Sequence, residues 1–310
     1  MITKSVKESF VKSRLFMDTV VSIKIVTTRA KAEVEESMAR AFAAFYNVES
    51  VCSRFNNQSE ISRLSTRIGT PVPVSSILFQ AIRFACEVAD ITEGAFDPTL
   101  GNTLGLYGFN RDYLTGYQAI PKTFDPNPPV SYLDLDLNEE EQTILLRKPL
   151  TLDLGAIAKG LAVDLAVKEL SSFEGFFIDA GGDIFASGLN ECEEAWRVGI
   201  RHPREREKII RTLQLTNMSV CTSGSYERVS PIKKDAHHLI NPHFGISKSD
   251  ILSCTVIAPF AILADAFSTA AFILGAEQGI RQLELVELDG ILITPTMEMT
   301  MTKEMRRYLI

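Results

Sequence analysis

Apolar positions recur along the chain with two different periods, which predict a mixture of strands and helices. Residues 15–26 alternate in polarity and are rich in β-branched side chains, a pattern that predicts an early strand. Between Val34 and Cys52 the apolar residues recur at steps of three and four, which predicts a long amphipathic helix. A second helix is predicted to start with Ser75 or Ser76 as its N-cap and to stop before Gly94.

The second half of the chain combines helices with runs of short strands. A hairpin is predicted over residues 144–154, turning at 147–149, and a helix over residues 156–172 follows it. Further strands are predicted over residues 176–185, 196–201, 209–215, 218–222 and 253–258. The pattern closes with a helix over residues 261–274, another helix, and a last strand near 290–293.

This order of elements predicts an α+β fold with mixed sheets and packed helices, because strands and helices do not alternate regularly. Residues 110–129 are rich in Pro, Asp and Asn, which indicates a long surface loop or a junction between lobes. The 310 residues therefore form a single domain, either undivided or made of two lobes of about 10–150 and 151–310.

Composition excludes several classes of protein. The chain is 45% hydrophobic, which argues against disorder, and its net charge of -7 argues against nonspecific binding to nucleic acid or anionic membrane. We expect neither a signal peptide nor a membrane-spanning segment, because no sufficiently long apolar run occurs. The five cysteines are scattered and lack CxxC spacing, so we expect reduced thiols and a cytoplasmic location.

Two short stretches combine residues that bind cations and phosphates. LDLGAIAKG places Asp153, a turn glycine and Lys159 where a strand is predicted to give way to a helix. ADAFST places Asp265 and Thr269 four residues apart, so both oxygen-bearing side chains share one helix face. A carboxylate, a hydroxyl and a lysine suit a hard divalent cation that holds a phosphate or pyrophosphate.

Each stretch taken alone also has a purely structural interpretation. Lys159 could be solvated while Asp164 pairs with Lys168 one turn later on the same helix. Asp265 could cap a helix start, with the hydroxyls behind it bonding back to helix carbonyls. Asp153 is either an N-terminal cap or a binding group.

Four more segments could line a site. GGD at residues 181–183 permits close backbone approach to a ligand or forms a turn, and CTSGSYER at 221–228 resembles a phosphate cradle. In GAFDPTLGNTLGLYGF, residues 94–109, the alternatives are a structural loop and a pocket in which Tyr107 stacks on a planar ring. The adjacent His237 and His238 in HHLINP lack the spacing of a zinc site.

Taken together, these segments closely resemble the ApbE-type FAD:protein FMN transferases, also called flavin transferases. The segments that carry the resemblance occur in the family's order over about residues 15 to 295. They are MDTVVSI, SRFNNQSEISRL, GAFDPTLG with LYGF, LDLGAIAKGLAVD, AGGDIFASG, CTSGSYER, HHLINP and ADAFSTAAFILG. One such motif is weak, but eight in order make chance similarity very unlikely.

The resemblance implies a magnesium-dependent transfer with FAD as substrate. FMN is attached through its phosphate to a Thr or Ser of an acceptor protein, and AMP leaves. By motif, the implied Mg²⁺ site consists of Ala156 through its carbonyl, Asp265, Ser268 through its backbone, and Thr269. The implied FAD site consists of Met17, Phe55, Ala95, Phe96, Asp97, Asp153 and Lys159. His238 is the implied base that takes the acceptor hydroxyl's proton.

The sequence departs from the family pattern in one loop. Asn241 stands where the family usually has an acidic residue, and Phe244–Gly245 stand where it usually has Thr-Gly. An asparagine keeps the hydrogen bonds of the turn but not the charge.

Three roles stay open at this stage. The first is a transferase acting on an acceptor with the pattern Asp-x-x-[Ser/Thr]-Gly-Ala-[Ser/Thr]. DITEGAF at residues 90–96 comes nearest to this pattern but ends on Phe96, which has no hydroxyl, so the chain is predicted to be the enzyme and not the acceptor. The second is an FAD pyrophosphatase that uses water, and the third is a flavin-binding protein without turnover.

Overall fold

Helices and strands alternate irregularly along the chain, which confirms the predicted α+β class. The computed structural model describes residues 7–111, 116, 129–248 and 250–310. The α-helices there are α1 (Lys31–Cys52), α2 (Glu60–Leu64), α3 (Ser76–Ile91), α4 (Gly101–Leu106), α5 (Ala158–Leu170), α6 (Ala261–Leu274) and α7 (Ala276–Leu285). Two 3-10 helices span Tyr132–Asp134 and Lys303–Tyr308.

Most of the strands are short. They are β1 (Glu8–Phe16), β2 (Thr19–Thr27), β3 (Val72–Pro73), β4 (Leu135–Asn138), β5 (Thr143–Leu146), β6 (Gly175–Ala180), β7 (Asp183–Gly188), β8 (Trp196–Arg201), β9 (Ile209–Leu215), β10 (Met218–Gly224), β11 (Ile240–Asn241), β12 (Ile246–Ser247), β13 (Ser253–Ala258), β14 (Asp289–Ile293) and β15 (Met299–Met301).

A large antiparallel sheet organises the molecule. Its strand order is β1-β2-β6-β7-β10-β13-β14-β15, so strands from both ends of the chain share it. Smaller sheets are formed by β3-β5-β4, by β8-β9 and by β11-β12. The division of the chain into two lobes near residue 150 stays a prediction, although strands from both sides of that point lie in the large sheet.

The two faces of the large sheet bury separate cores. One face packs against helices α1, α3, α5 and α6, and includes Ile23 of β2 and Ile178 of β6. The opposite face packs against the β8–β9 hairpin and the carboxyl-terminal 3-10 helix, and includes Phe177 of β6. This alternation follows from the two-residue period of a strand. Among the described residues, no helix is both long and apolar enough to cross a bilayer.

The predicted helices are confirmed within a few residues at their ends. Helix α3 has Ser75 as its N-cap, whose side chain accepts a hydrogen bond from the backbone N–H of Leu78 at 3.3 Å. Helix α6 stops at Gly275, whose φ of 89° belongs to the left-handed region that glycine adopts without strain.

Two predicted strands are each broken by a tight turn. Met17 and Asp18 have φ values of 53° and 60°, and they reverse the chain between β1 and β2 inside the predicted strand 15–26. Gly181 and Gly182 do the same between β6 and β7, with φ values of 69° and 101°. The polarity pattern continues across the Met17–Asp18 turn and did not reveal it, whereas a turn was one of the two alternatives for the GGD segment.

The predicted hairpin at residues 144–154 was wrong. Strand β5 pairs instead with β4, which precedes it, and with β3. After β5 the chain leaves the sheet, and Thr151 makes only an isolated parallel bridge to Leu100. Strand β15 lies beyond the strand that was predicted to be the last. Of the predicted loop at 110–129, residues 112–115 and 117–128 lie outside the described residues.

Helices α5 and α6 are joined by a close backbone contact and a carboxylate cap. A Cβ on Gly160 would lie 2.5 Å from the carbonyl oxygen of Ala261, so only glycine allows this approach. Asp164 accepts hydrogen bonds from the N–H groups of Ala261 and Ile262 at 2.7 and 2.9 Å. These donors lack partners within the first turn of α6, and Asp164 supplies them. The pairing with Lys168, which the structural interpretation proposed for Asp164, is therefore not its main role.

We expect Asp164→Ala to lower the free energy of unfolding by about 1–2 kcal/mol, because two partly buried N–H groups lose their acceptor. Asp164→Asn keeps an acceptor oxygen and should lose less. Chemical denaturation of both variants beside the parent protein measures the difference. Equal stability of Asp164→Ala and the parent would contradict the capping role.

Candidate functional site

One cavity brings together nearly all of the residues that the sequence predicts to form a site. It has a volume of about 1040 Å³ and is lined by residues from several separate parts of the chain. The predicted site residues on its wall are Met17, Phe55, Ala95, Phe96, Asp97, Asp153, Ala156, Lys159, His238, Asp265 and Thr269. Ser268 is the predicted residue that does not line the cavity.

A lysine that is largely buried lies between two carboxylates at the start of α5. Lys159 forms ion pairs with Asp183 of β7 and, at 3.6 Å, with Asp265 of α6. Burial alone would lower the pKa of Lys159, but the two carboxylates outweigh it and raise the pKa above the usual range. The suggestion that Lys159 is merely solvated is therefore wrong.

The pKa of Asp265 is raised to about 7. Burial and the adjacent Asp183 raise its pKa, while Lys159 and the N–H of Gly160, which donates to Asp265 at 3.2 Å, act in the opposite direction. Asp265 is in the second turn of α6, so it is not the cap of that helix. Two close carboxylates with one ammonium between them suit a site that accepts a further cation.

Three hydroxyls form a cluster beside this ion pair. The Ser223 hydroxyl lies 2.8 Å from that of Ser268 and 3.0 Å from that of Thr269. Ser268 is fully buried and donates to the carbonyl of Asp265 at 2.9 Å, as its structural interpretation anticipates. Thr269 reaches the cavity wall, so its oxygen is the one of the two α6 hydroxyls that a ligand can meet.

Arg54 connects the two sides of the cavity. Its guanidinium pairs with Asp153 and donates to the carbonyl of Phe109, and it lies over the Phe55 ring at 4.3 Å from the centroid. The side chain of Arg54 is only 9% exposed. Burial would raise the pKa of Asp153, but Arg54 and the N–H of Gly155 outweigh it and lower the pKa. Asp153 therefore stays an anion that is held in one orientation.

The remaining predicted FAD residues form a largely apolar wall. Ala95 and Phe96 are buried, and Met17 lies in the β1–β2 turn, where its N–H donates to Glu49 at 2.8 Å. Asp97 accepts hydrogen bonds from the N–H and hydroxyl of Thr99 at 2.8 and 2.7 Å. Burial nevertheless raises the pKa of Asp97.

The two adjacent histidines have different surroundings. His237 is buried, contacts Phe272 edge-on, and its Nε2 bonds the carbonyl of Lys248. His238 lines the cavity, with Nδ1 at 3.3 Å from the carbonyl of Arg228. That bond requires a proton on Nδ1, which leaves Nε2 as a proton acceptor.

His238 is held neutral by its surroundings. Burial, and then the positive charge of Arg228, lower its pKa to about 3. A neutral imidazole can accept a proton from a substrate hydroxyl, as a general base must.

The loop that follows the histidines keeps its shape without an acidic residue. Asn241 accepts hydrogen bonds from the N–H groups of His243 and Phe244 at 3.0 and 3.3 Å. The suggestion that Tyr107 stacks on a ligand is wrong. The Nζ of Lys233 lies over its ring, 3.6 Å from the ring centroid, and Tyr107 does not line the cavity.

Four contributors were missed or undervalued in the sequence: Arg54, Asp183, Ser223 and Arg228. Asp183 and Ser223 lie inside GGD and CTSGSYER, but no local pattern singles them out within these segments. Arg54 and Arg228 also lie inside quoted segments, SRFNNQSEISRL and CTSGSYER, but only their contacts across the fold reveal their roles.

The chemistry of the available donors favours a hard cation. Among the described residues, no three His, Cys, Asp or Glu side chains come together as a metal cluster. The oxygens near Lys159 belong to carboxylate, hydroxyl and carbonyl groups. Mg²⁺ prefers such oxygen ligands, whereas zinc sites usually use Cys and His.

Known proteins are similar to this chain in sequence and in fold. The model of the ApbE family matches residues 17–292. A FAD:protein FMN transferase of Treponema pallidum is 30% identical over 306 residues, which cover 92% of this chain and 84% of that protein. One of Haemophilus influenzae is 28% identical over 277 residues, covering 86% and 80%.

Two solved structures share the fold at lower sequence identity. The ApbE protein of Thermotoga maritima has a TM-score of 0.86 at 24% identity, covering 97% of this chain and 99% of that one. The flavin transferase ApbE of Vibrio cholerae has a TM-score of 0.85 at 24% identity, covering 98% and 100%. Because the family model spans most of the sequence, the chain belongs to the ApbE family.

Proposed function

We propose that this protein is a Mg²⁺-dependent FAD:protein FMN transferase. The observation that carries the proposal is one cavity that joins the Asp183–Lys159–Asp265 cluster, a neutral His238 and an apolar wall. The named relatives are FAD:protein FMN transferases, which supports FAD as the donor and a protein as the acceptor. The cytoplasmic location is part of the proposal, and the five free cysteines support it.

The apolar wall and the charged residues are proposed to bind different parts of FAD. Met17, Phe55 and Phe96 offer the apolar and aromatic surface that a planar ring system requires. Arg54 holds Asp153 as an anion, which can accept hydrogen bonds from ligand N–H or O–H groups. Lys159 supplies positive charge for the pyrophosphate.

His238 is the proposed base for the acceptor hydroxyl. The hydroxyl oxygen of an acceptor Ser or Thr attacks the phosphorus of the FMN half, and its proton passes to Nε2 of His238. The bond from that phosphorus to the oxygen of the AMP half breaks, and AMP leaves with the bridging oxygen. A neutral imidazole is needed because an aliphatic hydroxyl is a poor nucleophile at neutral pH.

The same cavity offers a binding place for Mg²⁺. The residues proposed to hold it are the carbonyl of Ala156, the carboxylate of Asp265, the backbone of Ser268 and the hydroxyl of Thr269. When bound, the ion supplies charge neutralisation for the pyrophosphate and for the departing AMP. Thr269 faces the cavity, whereas the buried side chain of Ser268 leaves only its backbone for this role.

The proposal is tested by incubating the protein with FAD, Mg²⁺ and a purified domain that bears the acceptor pattern. Covalent FMN on the domain, detected by mass spectrometry, together with an equal amount of AMP supports transfer. Free FMN with AMP and no labelled domain supports the pyrophosphatase instead. If neither labelled domain nor free FMN appears, the result supports a flavin-binding protein without turnover.

We expect Asp265→Ala to abolish AMP release, because the carboxylate that faces both Lys159 and the proposed metal is lost. Circular dichroism should remain that of the parent protein. Asp136→Ala, which removes a half-exposed carboxylate paired with Arg147 on the surface, is the matched control and should release AMP normally. Full activity of Asp265→Ala in EDTA would refute the metal assignment.

We expect His238→Ala to bind FAD near normally but to lose transfer by about 10²–10⁴-fold, the usual contribution of a general base. The measurement is single-turnover labelling of the acceptor domain at equal FAD occupancy. His237→Ala should instead lower thermal stability, because it removes a buried ring that bonds Lys248, and the rate per folded molecule should change little. Near-normal transfer by His238→Ala would remove it from the mechanism.

We expect the pH dependence of transfer to differ between the free enzyme and its FAD complex. The low pKa of His238, about 3 against an ordinary 6.5, keeps it neutral in the free enzyme. The negative pyrophosphate favours the imidazolium form and so raises this pKa. The acid limb of kcat, which reports the FAD complex, should therefore lie at higher pH than that of kcat/KM for FAD, which reports the free enzyme. Coincident limbs at pH 6.5 or above would contradict the lowered pKa.

A further inference from the structure

Four exposed apolar side chains lie on two joined hairpins beside the cavity. Their exposed fractions are 59% for Val229, 66% for Ile232, 74% for Phe244 and 56% for Ile246. We call these four residues the rim patch. Single exposed apolar residues are ordinary, but a group of them on one small unit is typical of a contact surface for another protein.

The first hairpin contains His238 itself. The N–H of His238 donates to the carbonyl of Arg228 at 3.2 Å, and Val229 pairs with His237 in an antiparallel bridge. One step further, the N–H of Ser230 donates to the carbonyl of Ala236 at 2.8 Å. Ile232 therefore lies near the tip of the hairpin whose base carries the proposed general base.

Tyr107 fastens both hairpins to the same support. Its carbonyl accepts a hydrogen bond from the Ser230 hydroxyl at 2.6 Å, and its own hydroxyl donates to the carbonyl of Gly245 at 2.9 Å. Gly245 lies between Phe244 and Ile246 in the turn of the second hairpin, β11–β12. The rim patch is thus held on a fixed framework and is not scattered over independent loops.

The framework has its own small core, which does not include the rim patch. Tyr107, Phe109, Ala236 and Ile240 bury one another there. The exposed side chains of Ile232 and Phe244 are therefore surplus to the packing of the hairpins. Removing such exposed apolar area from water contributes favourable free energy when another protein binds.

The rim patch is continuous with the cavity. Val229 lines the cavity and is also largely exposed, and His238 lines the same wall. A hydroxyl that belongs to a protein can reach His238 only if its flanking residues rest on the surface around the cavity. Val229 is the member of the rim patch that reaches this surface, and the other three lie on the two hairpins that Tyr107 joins.

We propose that the rim patch is the docking surface for the acceptor protein. The occupant is a folded acceptor protein whose surface presents apolar side chains around its Ser or Thr hydroxyl, outside the short sequence pattern that a peptide reproduces. This inference rests on the proposed transferase function, and it adds which surface selects the acceptor. The donor FAD does not need the patch, because Ile232 and Phe244 lie outside the cavity wall.

The test compares two double variants with two acceptor probes. Ile232→Ala with Phe244→Ala removes the outer part of the rim patch. The matched control combines Leu285→Ala with Phe260→Ala. These side chains lie outside the rim patch and are 78% and 57% exposed. The probes are a folded domain bearing the acceptor pattern and a short synthetic peptide with the same pattern Asp-x-x-Thr-Gly-Ala-Thr.

We expect the rim double variant to raise KM for the folded domain by about tenfold, a change typical of losing contact side chains at an interface. Its kcat, its FAD dissociation constant and its KM for the peptide should match those of the parent. The control variant should change none of these values.

Other outcomes overturn the proposal in recognisable ways. An unchanged KM for the domain, or an equal rise in the control variant, removes the rim patch from acceptor binding. A weakened affinity for FAD would assign the patch to the donor, and a parent dimer that the rim variant dissolves would assign it to a second copy of this chain. If the parent protein transfers FMN to neither the domain nor the peptide, the proposed function itself is refuted.

Discussion

The candidate site depends on one largely buried ammonium group between two carboxylates. Lys159 comes from α5, Asp183 from β7 and Asp265 from α6, so a single cluster ties together three elements that are far apart in sequence. Burying any one of these charges alone would be costly, and burial is tolerated only because opposite charges lie within ion-pair distance. The cluster therefore requires α5, α6 and the sheet to meet in one arrangement, and that arrangement creates the cavity.

The contact between α5 and α6 makes this arrangement possible. Gly160 lets the two backbones approach, and Asp164 caps the start of α6 from the side of α5. Both residues follow Lys159 within one and a half turns of helix. The helix that supplies the lysine thus also locates the helix that supplies Asp265 and Thr269. This explains in physical terms why two stretches a hundred residues apart act as one site.

The adjacent residues His237 and His238 have different roles, one structural and one chemical. The antiparallel pairing of the hairpin turns alternate side chains to opposite sides. His237 consequently packs on Phe272 and bonds Lys248, while His238 faces the cavity with its Nε2 free to accept a proton. The same hairpin carries Val229 and Ile232 to the surface, so the proposed base and the proposed acceptor surface belong to one rigid unit.

The sequence by itself determined the α+β class, the main helices and the motifs that mark the family, because these follow from local periodicity and from residue types at fixed spacing. It failed at turns such as Met17–Asp18, where the polarity pattern continues unbroken through a reversal of the chain. Only the tertiary structure revealed the part played by Arg54, the cap that Asp164 forms on α6, and the different surroundings of His237 and His238. The physical reason is that burial, charge pairing and backbone approach depend on residues distant in sequence, whose positions no local pattern contains.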